Sequence, residues 1–432
     1  MNDYVIKCGT FMDGNGGEAL ENVRLLVKRS RIARIETQES DLDRHPVIID
    51  ASGQTVIPGL IDSHKHIINC GGSGVGVGLD LTQVKKNIEQ IYQGGVTSVL
   101  DLGSAEMLHL LPKVPLPQPR VFYALTILTC DKGYPVEYMK PEFYKMGAAA
   151  DCVSKDDIKR SVKKLYKLGV SVIKTAVVSR TFNGRPQVCW TDEMLTALTD
   201  EAHSYGLNVC AHITYAADYA QAVRCGVDSV HHAAFDGIIP EQVMDEMLEK
   251  GVIFVPTISL VDLMLQGLEE RWIYDPKYHP AVNDTIIANM KAFTDAYHNG
   301  SEDEPIGDLF INMPKKDFRK ALEMQFKNVK LFLKLGGTVA MGTDSALGFS
   351  LHTTPIRELE LLVKAGLSIT KAVRASTLSS AAVFGKEHEI GSLKTGKKAD
   401  ILILDGDLSK DLSVLKCVKK VIIDGKLMHE NP

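Results

Sequence analysis

Apolar residues follow two rhythms along this chain. Over residues 4–57 they fall in short runs separated by turn residues. Tyr4-Val5-Ile6-Lys7-Cys8-Gly9 leads into Asp13-Gly14-Asn15-Gly16-Gly17; Val23–Val27, Ile32–Ile35 and Val47–Asp50 then follow before Gly53. Runs of this length bounded by Gly, Asp and Asn read as strands and turns, so this part is a small β unit. From residue 58 the rhythm becomes strand, then helix, repeated. Helical spacing covers 81–93, 155–168, 192–205, 215–225, 240–250 and 316–335. Five of these segments run into Gly169, Gly206, Gly226, Gly251 and Gly336, the expected helix stop. Strands are predicted near 56–62, 96–101, 120–128, 171–176, 207–212, 227–231, 252–256 and 338–342. Eight such units predict an α/β fold, a (β/α)8 TIM barrel. The stretch 262–315 is too long for one barrel helix and carries Trp272, Pro276, Pro280 and Pro305, so an insertion over the barrel mouth is expected. After the last helices, the turn Gly391–Gly396 precedes strands at 400–405 and 418–425. They complete the N-terminal unit. The expected organisation is a small β-sandwich domain formed by both chain termini (1–57 plus 388–432) and a barrel domain over 58–387.

Composition narrows the class. The chain has 432 residues, 45% hydrophobic and 24% charged, with a formal net charge of -5. This is an ordinary globular balance, and the size suits a barrel with an appendage. No basic stripe is visible, which argues against nucleic acid and anionic membrane as partners. No apolar run approaches the roughly 20 residues needed to span a bilayer. Met1-Asn2-Asp3-Tyr4 does not read as a signal peptide. The eight cysteines are scattered without a CxxC pair, which suits reduced thiols and a cytoplasmic, bacterial setting. A small-molecule substrate is the expected partner, and a homo-oligomer is compatible with the chain, although no interface is readable.

Candidate chemistry starts at Pro58-Gly59-Leu60-Ile61-Asp62-Ser63-His64-Lys65-His66, where the apolar run Thr55–Ile57 leads into a buried strand. Residues i and i+2 of a strand share a face, so His64 and His66 can aim two imidazoles at one point, as a metal requires. Barrel enzymes keep their chemistry at the C-terminal ends of the strands. Lys174, His212 and His232 end the fourth, fifth and sixth predicted strands, and Asp344 follows the eighth. Scattered core histidines would not fall so regularly at one end of a barrel. Which of His231 and His232 is the ligand is open from the strand alone.

PGLIDSHKH, VIKT around Lys174, EAHSYGLNVCAHI ending near His212, SVHHA at 229–233, GTDS at 342–345 and IGSLKTGKKADILILDGD from 390 together resemble the amidohydrolase superfamily. The resemblance covers essentially the whole chain. It is nearest the branch of metal-dependent prolidases, related carboxypeptidases and imidazolonepropionase-like proteins, in which the fourth-strand lysine is carbamylated. It implies two divalent ions, zinc first among the candidates. One would be held by His64, His66, Lys174 and Asp344, the other by Lys174, His212 and His232. A lysine ammonium has no lone pair, whereas its carbamate is an anionic oxygen ligand. The plainer alternative for Lys174 is a barrel-interior lysine paired with an acid. The family pattern favours His232 over His231, which would then point toward packing. Two metals lower the pKa of a bridging water and polarise a carbonyl. Asp344 would orient that water, take its proton and pass it to the leaving nitrogen.

On the substrate side, Tyr215 lies three residues past His212, where the branch uses a polar residue to hold a substrate carboxylate. His352, in the loop after the eighth strand, is a further candidate contact. Arg180 and Arg185 could bind a carboxylate bidentately. Many relatives carry a Gly-Gly-His step after the third strand. Here the stretch reads Thr129-Cys130-Asp131-Lys132-Gly133; either Lys132 does the same electrostatic work, or the change marks a different substrate. The Gly-rich run 71–78 lacks the Gly-Lys-Ser/Thr ending of a phosphate loop and reads as a mouth loop. The expected function is hydrolysis of a C–N amide bond in a dipeptide such as Xaa-Pro or in an N-acyl amino acid. The alternatives are a cyclic amidohydrolase or deaminase acting on a heterocycle, and, more remotely, a non-catalytic assembly protein. A mononuclear deaminase would lack the fourth-strand lysine and place a Glu beside a ligand His, and neither holds here.

Overall fold

The computed structural model describes residues 3–68, 81–104, 106–113, 118–136, 144–180, 184–270, 284–300, 316–345, 349–352 and 355–431. Both ends of the chain meet in one mixed sheet of seven strands. Its order is Lys426–Glu430, Val418–Ile423, Ile401–Leu404, Ile48–Pro58, Tyr4–Phe11, Leu20–Lys28 and Arg31–Glu36. Ile401–Leu404 runs antiparallel to the end of Ile48–Pro58, with Ile401 opposite Pro58 and Leu404 opposite Thr55. The sequence predicts a sandwich of two sheets; the structure has a single sheet that curls over its own core. Register shifts between Cys8 and Thr10, Leu26 and Val27, and Ile403 and Leu404 bend its strands. The curl brings Arg31 against Lys398 and encloses Ile6, Val23, Leu25, Val56, Ile401, Ile403 and Ile422.

Parallel strands follow in chain order. Leu60–Lys65 pairs with Val96–Asp101, which pairs with Arg120–Tyr123. Ile127–Cys130 pairs with Val172–Ala176, followed by Asn208–His212, Ser229–His231 and Ile253–Val255. The predicted eighth strand, 338–342, carries only bridging contacts. Val339 bridges Phe254, Ser63 N–H donates to the Met341 carbonyl at 3.0 Å, and Ser345 bridges Lys65. That segment therefore lies between the seventh strand and the first. Val99, Ile173, Val209, Val230 and Phe254 share one buried core with Leu165, Leu198 and Phe332 of the surrounding helices. Helix Lys155–Leu168 shows how the sequence sets such elements: the Ser154 side chain accepts from Asp157 N–H at its start, and Gly169 ends it at φ 82°.

Two predicted strands are revised. The third is broken around Leu125, whose φ is 65°, and its halves pair with different neighbours. The first is two strands: Thr55–Ile57 belongs to the terminal sheet, and the barrel strand begins at Leu60. Gly59 permits the break, because a Cβ there would sit 2.1 Å from Thr97 Oγ1. An unexpected strand, Ala149–Cys152, pairs with Ile127–Cys130; its Ala-rich sequence carries no alternation. Within 262–315, the parts 271–283 and 301–315 lie outside the described residues. The rest is helical, Ile258–Glu270 and Asp284–Asn299, packed with Phe318, Phe349 and Leu351. The Gly-rich run 71–78 also lies outside the described residues.

Candidate metal centre

His64 ends inside the first barrel strand and His66 lies one residue beyond it. Both rings turn to the same point, as strand alternation requires. Their Nε2 atoms are 3.4 and 3.1 Å from Oδ1 of Asp344. Ligand atoms of the three residues all lie within 4.8 Å of one another. Asp344 comes this close because Gly342 lets its segment pass the first strand: a Cβ there would be 2.7 Å from His64 Cβ and 2.5 Å from Val255 Cγ1. Asp344 N–H donates to the His64 carbonyl at 2.7 Å. Asp344, His232 and Thr257 have φ of 51°, 72° and 47°, left-handed conformations that non-glycine residues adopt under strain. Such strain persists where surrounding structure enforces it and clusters at functional sites.

A buried ion pair fixes this segment from below. Lys65 Nζ lies 2.9 Å from Asp62 Oδ2, and neither side chain has exposed surface. Asp62 also accepts from His64 N–H at 3.2 Å, Thr343 N–H at 3.1 Å and Thr343 Oγ1 at 2.7 Å. Lys65 donates further to Thr343 Oγ1 and Ser345 Oγ. The residues flanking Asp344 are thus tied to the strand that carries His64.

Lys174, His212 and His232 come to the same end of the barrel, all buried. The His212 and His232 rings are 4.3 Å apart between centroids. Lys174 Nζ, His212 Nε2, His232 Nε2 and Asp344 Oδ1 are among the buried side-chain atoms of the described residues that have no hydrogen-bond partner, and these four belong to this one end of the barrel. His66 Nε2 is close to that Oδ1 but is not aligned as a hydrogen bond. Buried polar atoms are nearly always bonded, so a cluster of orphaned nitrogens and a carboxylate oxygen fits divalent metal ions. The outer nitrogens support this. His66 Nδ1 faces the Gly103 carbonyl oxygen at 2.7 Å, and His232 Nδ1 faces Thr257 Oγ1 at 2.8 Å, the usual supports for metal-binding imidazoles. Burial, reinforced by the charge of Lys174, holds His64 and His212 well below the ordinary imidazole range. Burial opposes charge on His66 as well, but Asp344 outweighs it and raises that ring. Burial also lowers the Lys174 amine to about 8, and the neutral amine is the form that reacts with carbon dioxide.

Sequence reasoning misplaced or missed several neighbours. His231 does not point toward packing outside the site; its ring lies 4.8 Å from the His64 ring. Lys132 is exposed, whereas Tyr134, two residues on, is buried and stacks on His212 with centroids 4.5 Å apart. A single aromatic residue in a turn gives no periodic signal, and Tyr134 was not legible. Tyr215 is 8% exposed, with its ring 4.8 Å from that of Phe235, and burial raises its hydroxyl to about 12. Arg180 is exposed yet near enough to act on Tyr215 and Asp218 electrostatically. Arg185 is exposed. His352 is buried, its Nδ1 3.4 Å from Ser345 Oγ, at the edge of the Lys65 network.

Residues 55–428 match the model of the amidohydrolase family. Ochratoxinase of Aspergillus niger is 24% identical over 466 residues, spanning 98% of this chain and 86% of that protein. Imidazolonepropionase of Clostridium tetani is 23% identical over 445 residues, spanning 99% of this chain and 96% of that one. A Xaa-Pro dipeptidase crystallised with methionine in its active site superimposes with a TM-score of 0.79 at 23% identity, over 100% of both chains. That likeness carries the TIM-barrel type of fold. No helix among the described residues is long and apolar enough to cross a membrane. The chain belongs to the amidohydrolase family and is a hydrolase acting on carbon–nitrogen bonds.

Proposed function

We propose that this protein hydrolyses the amide bond of a small substrate bearing a free carboxylate, a dipeptide such as Xaa-Pro or an N-acyl amino acid. The observation that carries the reading is the cluster of orphaned buried atoms on Lys174, His212, His232 and Asp344, beside the His64/His66 pair. In this reading His64, His66, Asp344, His212 and His232 would hold two divalent ions, zinc first, together with Lys174 as a carbamate. Such ions, when bound, supply Lewis acidity that makes water more acidic and a carbonyl more electrophilic. The chain's own groups do the rest. Asp344 accepts the proton of the attacking water and hands it to the departing nitrogen. The clamp of Asp62, Lys65 and Thr343 keeps that carboxylate from swinging away. Tyr215 and Arg180 receive the substrate carboxylate, the guanidinium supplying charge and the phenol a hydrogen bond. Tyr134 lines the floor beside His212. Lys132, exposed two residues before Tyr134, is the group offered for polarising the scissile carbonyl, and His352 supports Ser345 beside Asp344. Residues 1–57 with 388–432 form the supporting unit, and 58–387 the catalytic one.

Ring opening of a cyclic amide is the second reading. Relatives named imidazolonepropionase span nearly the whole chain, and the same centre suits an endocyclic amide. The test is a panel of Xaa-Pro dipeptides, N-acyl amino acids and imidazolone-type cyclic amides, assayed with protein purified in zinc and bicarbonate. Turnover of a linear substrate, with KM raised and kcat retained in Arg180→Met and Tyr215→Phe, is expected. Turnover of cyclic amides alone would move the assignment to the second reading. Equal activity of Asp344→Asn would remove both.

A further inference from the structure

A ring-to-ring hydrogen bond lies beneath the proposed metal ligands. His231 Nδ1 is 3.0 Å from His64 Nδ1, and His231 Nε2 is 3.0 Å from Ser229 Oγ. His231 and Ser229 have no exposed surface, and His64 is 1% exposed. The two imidazoles meet edge to face, with centroids 4.8 Å apart and planes at 74°. The strand fixes this contact. Ser229 precedes His231 by two residues and shares its face, and the His231 carbonyl accepts from Ile213 N–H at 3.1 Å.

Two ring nitrogens at this separation share one proton. If His231 donates from Nδ1, the His64 proton sits on Nε2, the atom that faces Asp344 Oδ1, and His64 can hold no cation. If His64 donates from Nδ1, its Nε2 keeps the lone pair. His66 reaches that tautomer conventionally, through the Gly103 carbonyl oxygen, which can only accept. The partner of His64 is an imidazole, which could go either way. Ser229 Oγ settles nothing by being hydroxyl, but it can take the Nε2–H that an accepting His231 must carry. A neutral imidazole performs this task without adding charge to a dry interior, where unpaired charge is costly.

We propose that His231 is a positioning residue of the centre: it accepts the Nδ1–H of His64 and so commits His64 Nε2 to the cation. This rests on the metal reading above, but the hydrogen bonds it concerns form before any ion binds. The first test is nitrogen-15 NMR of histidine rings in metal-free wild-type protein, with peaks assigned through His64→Gln and His231→Gln. His64 protonated at Nδ1 and His231 unprotonated at Nδ1 is expected; the opposite pair of tautomers overturns the proposal. The second test is zinc affinity by chelator competition. His231→Phe keeps a planar ring without an acceptor and should bind about 10–100-fold more weakly. His231→Gln offers an amide oxygen and should recover most of the loss, a rescue that a mere packing role would not give. A folded His231→Phe protein with wild-type affinity overturns the proposal; if that variant does not fold, the tautomers of the wild type and the affinity of His231→Gln decide. Wild-type protein that binds no zinc refutes the metal reading, and the tautomer measurement still judges His231 separately.

Discussion

Asp62→Ala should destabilise the protein far more than Lys65→Met, although each removes one member of the same ion pair. Without Asp62, the Lys65 ammonium stays at the barrel interior with only the Thr343 and Ser345 hydroxyls as acceptors. The backbone N–H groups of His64 and Thr343 lose their acceptor as well. Breaking a buried pair by removing one partner costs about 3–5 kcal/mol, and an orphaned buried donor on the order of 1–3 kcal/mol. These terms overlap, so the expected loss is about 5 kcal/mol. Without Lys65, the Asp62 carboxylate still accepts three hydrogen bonds from His64 and Thr343, so the expected loss is about 2 kcal/mol. The double variant Asp62→Ala/Lys65→Met removes both charges and should be more stable than the sum of its single changes by about 1–2 kcal/mol. Urea unfolding of metal-free protein at one pH measures all four chains. A loss below about 1 kcal/mol in Asp62→Ala, or strict additivity in the double variant, would refute the reasoning.

Glu358 supplies a pH test. Its carboxylate is buried and accepts from Ile258 and Ser259 N–H at the start of helix Ile258–Glu270, and burial raises it from 4.5 to about 7. The folded chain therefore binds this proton more tightly than the unfolded chain. The contribution is fully present below about 4.5 and is lost as pH rises to about 7, on the order of 3 kcal/mol in all. Glu358→Gln should lose that fall in stability between pH 5 and 8 in urea titrations; an unchanged slope contradicts the account. Gly342→Ala forces a Cβ against His64 and Val255, and should cost about 2 kcal/mol and weaken zinc retention in a chelator assay. Wild-type behaviour in both measurements would show that the close approach of Asp344 does not depend on this glycine.

The alternation of strands made the first half of the site legible. His64 and His66 share a face because nothing interrupts the extended backbone between them. The repeated strand-to-helix rhythm likewise placed His212 at the end of its strand and Asp344 just past the eighth segment, whereas Lys174 lies in the middle of Val172–Ala176. The same rule failed at His231-His232. Alternation sends one of two adjacent residues away, but the strand ends at His231, and the left-handed backbone of His232 turns its side chain back, so both rings reach His64. No residue type announces that turn. The break at Gly59 was hidden for a related reason: the apolar run is continuous in sequence while its two halves serve different sheets. Tyr134 and the clamp of Asp62 with Lys65 were missed because they depend on contacts between segments far apart in the chain. Lys65 in particular reads as an ordinary polar spacer between two histidines, and only the structure shows its ammonium fully enclosed.

The central claim is that Lys174 and its neighbours hold two divalent ions. Elemental analysis of metal per chain tests it most directly, on wild type and Lys174→Ala purified with zinc and bicarbonate. The account predicts close to two metals in the wild type and a sharp fall in the variant. One metal per chain, unaffected by the substitution, would contradict it.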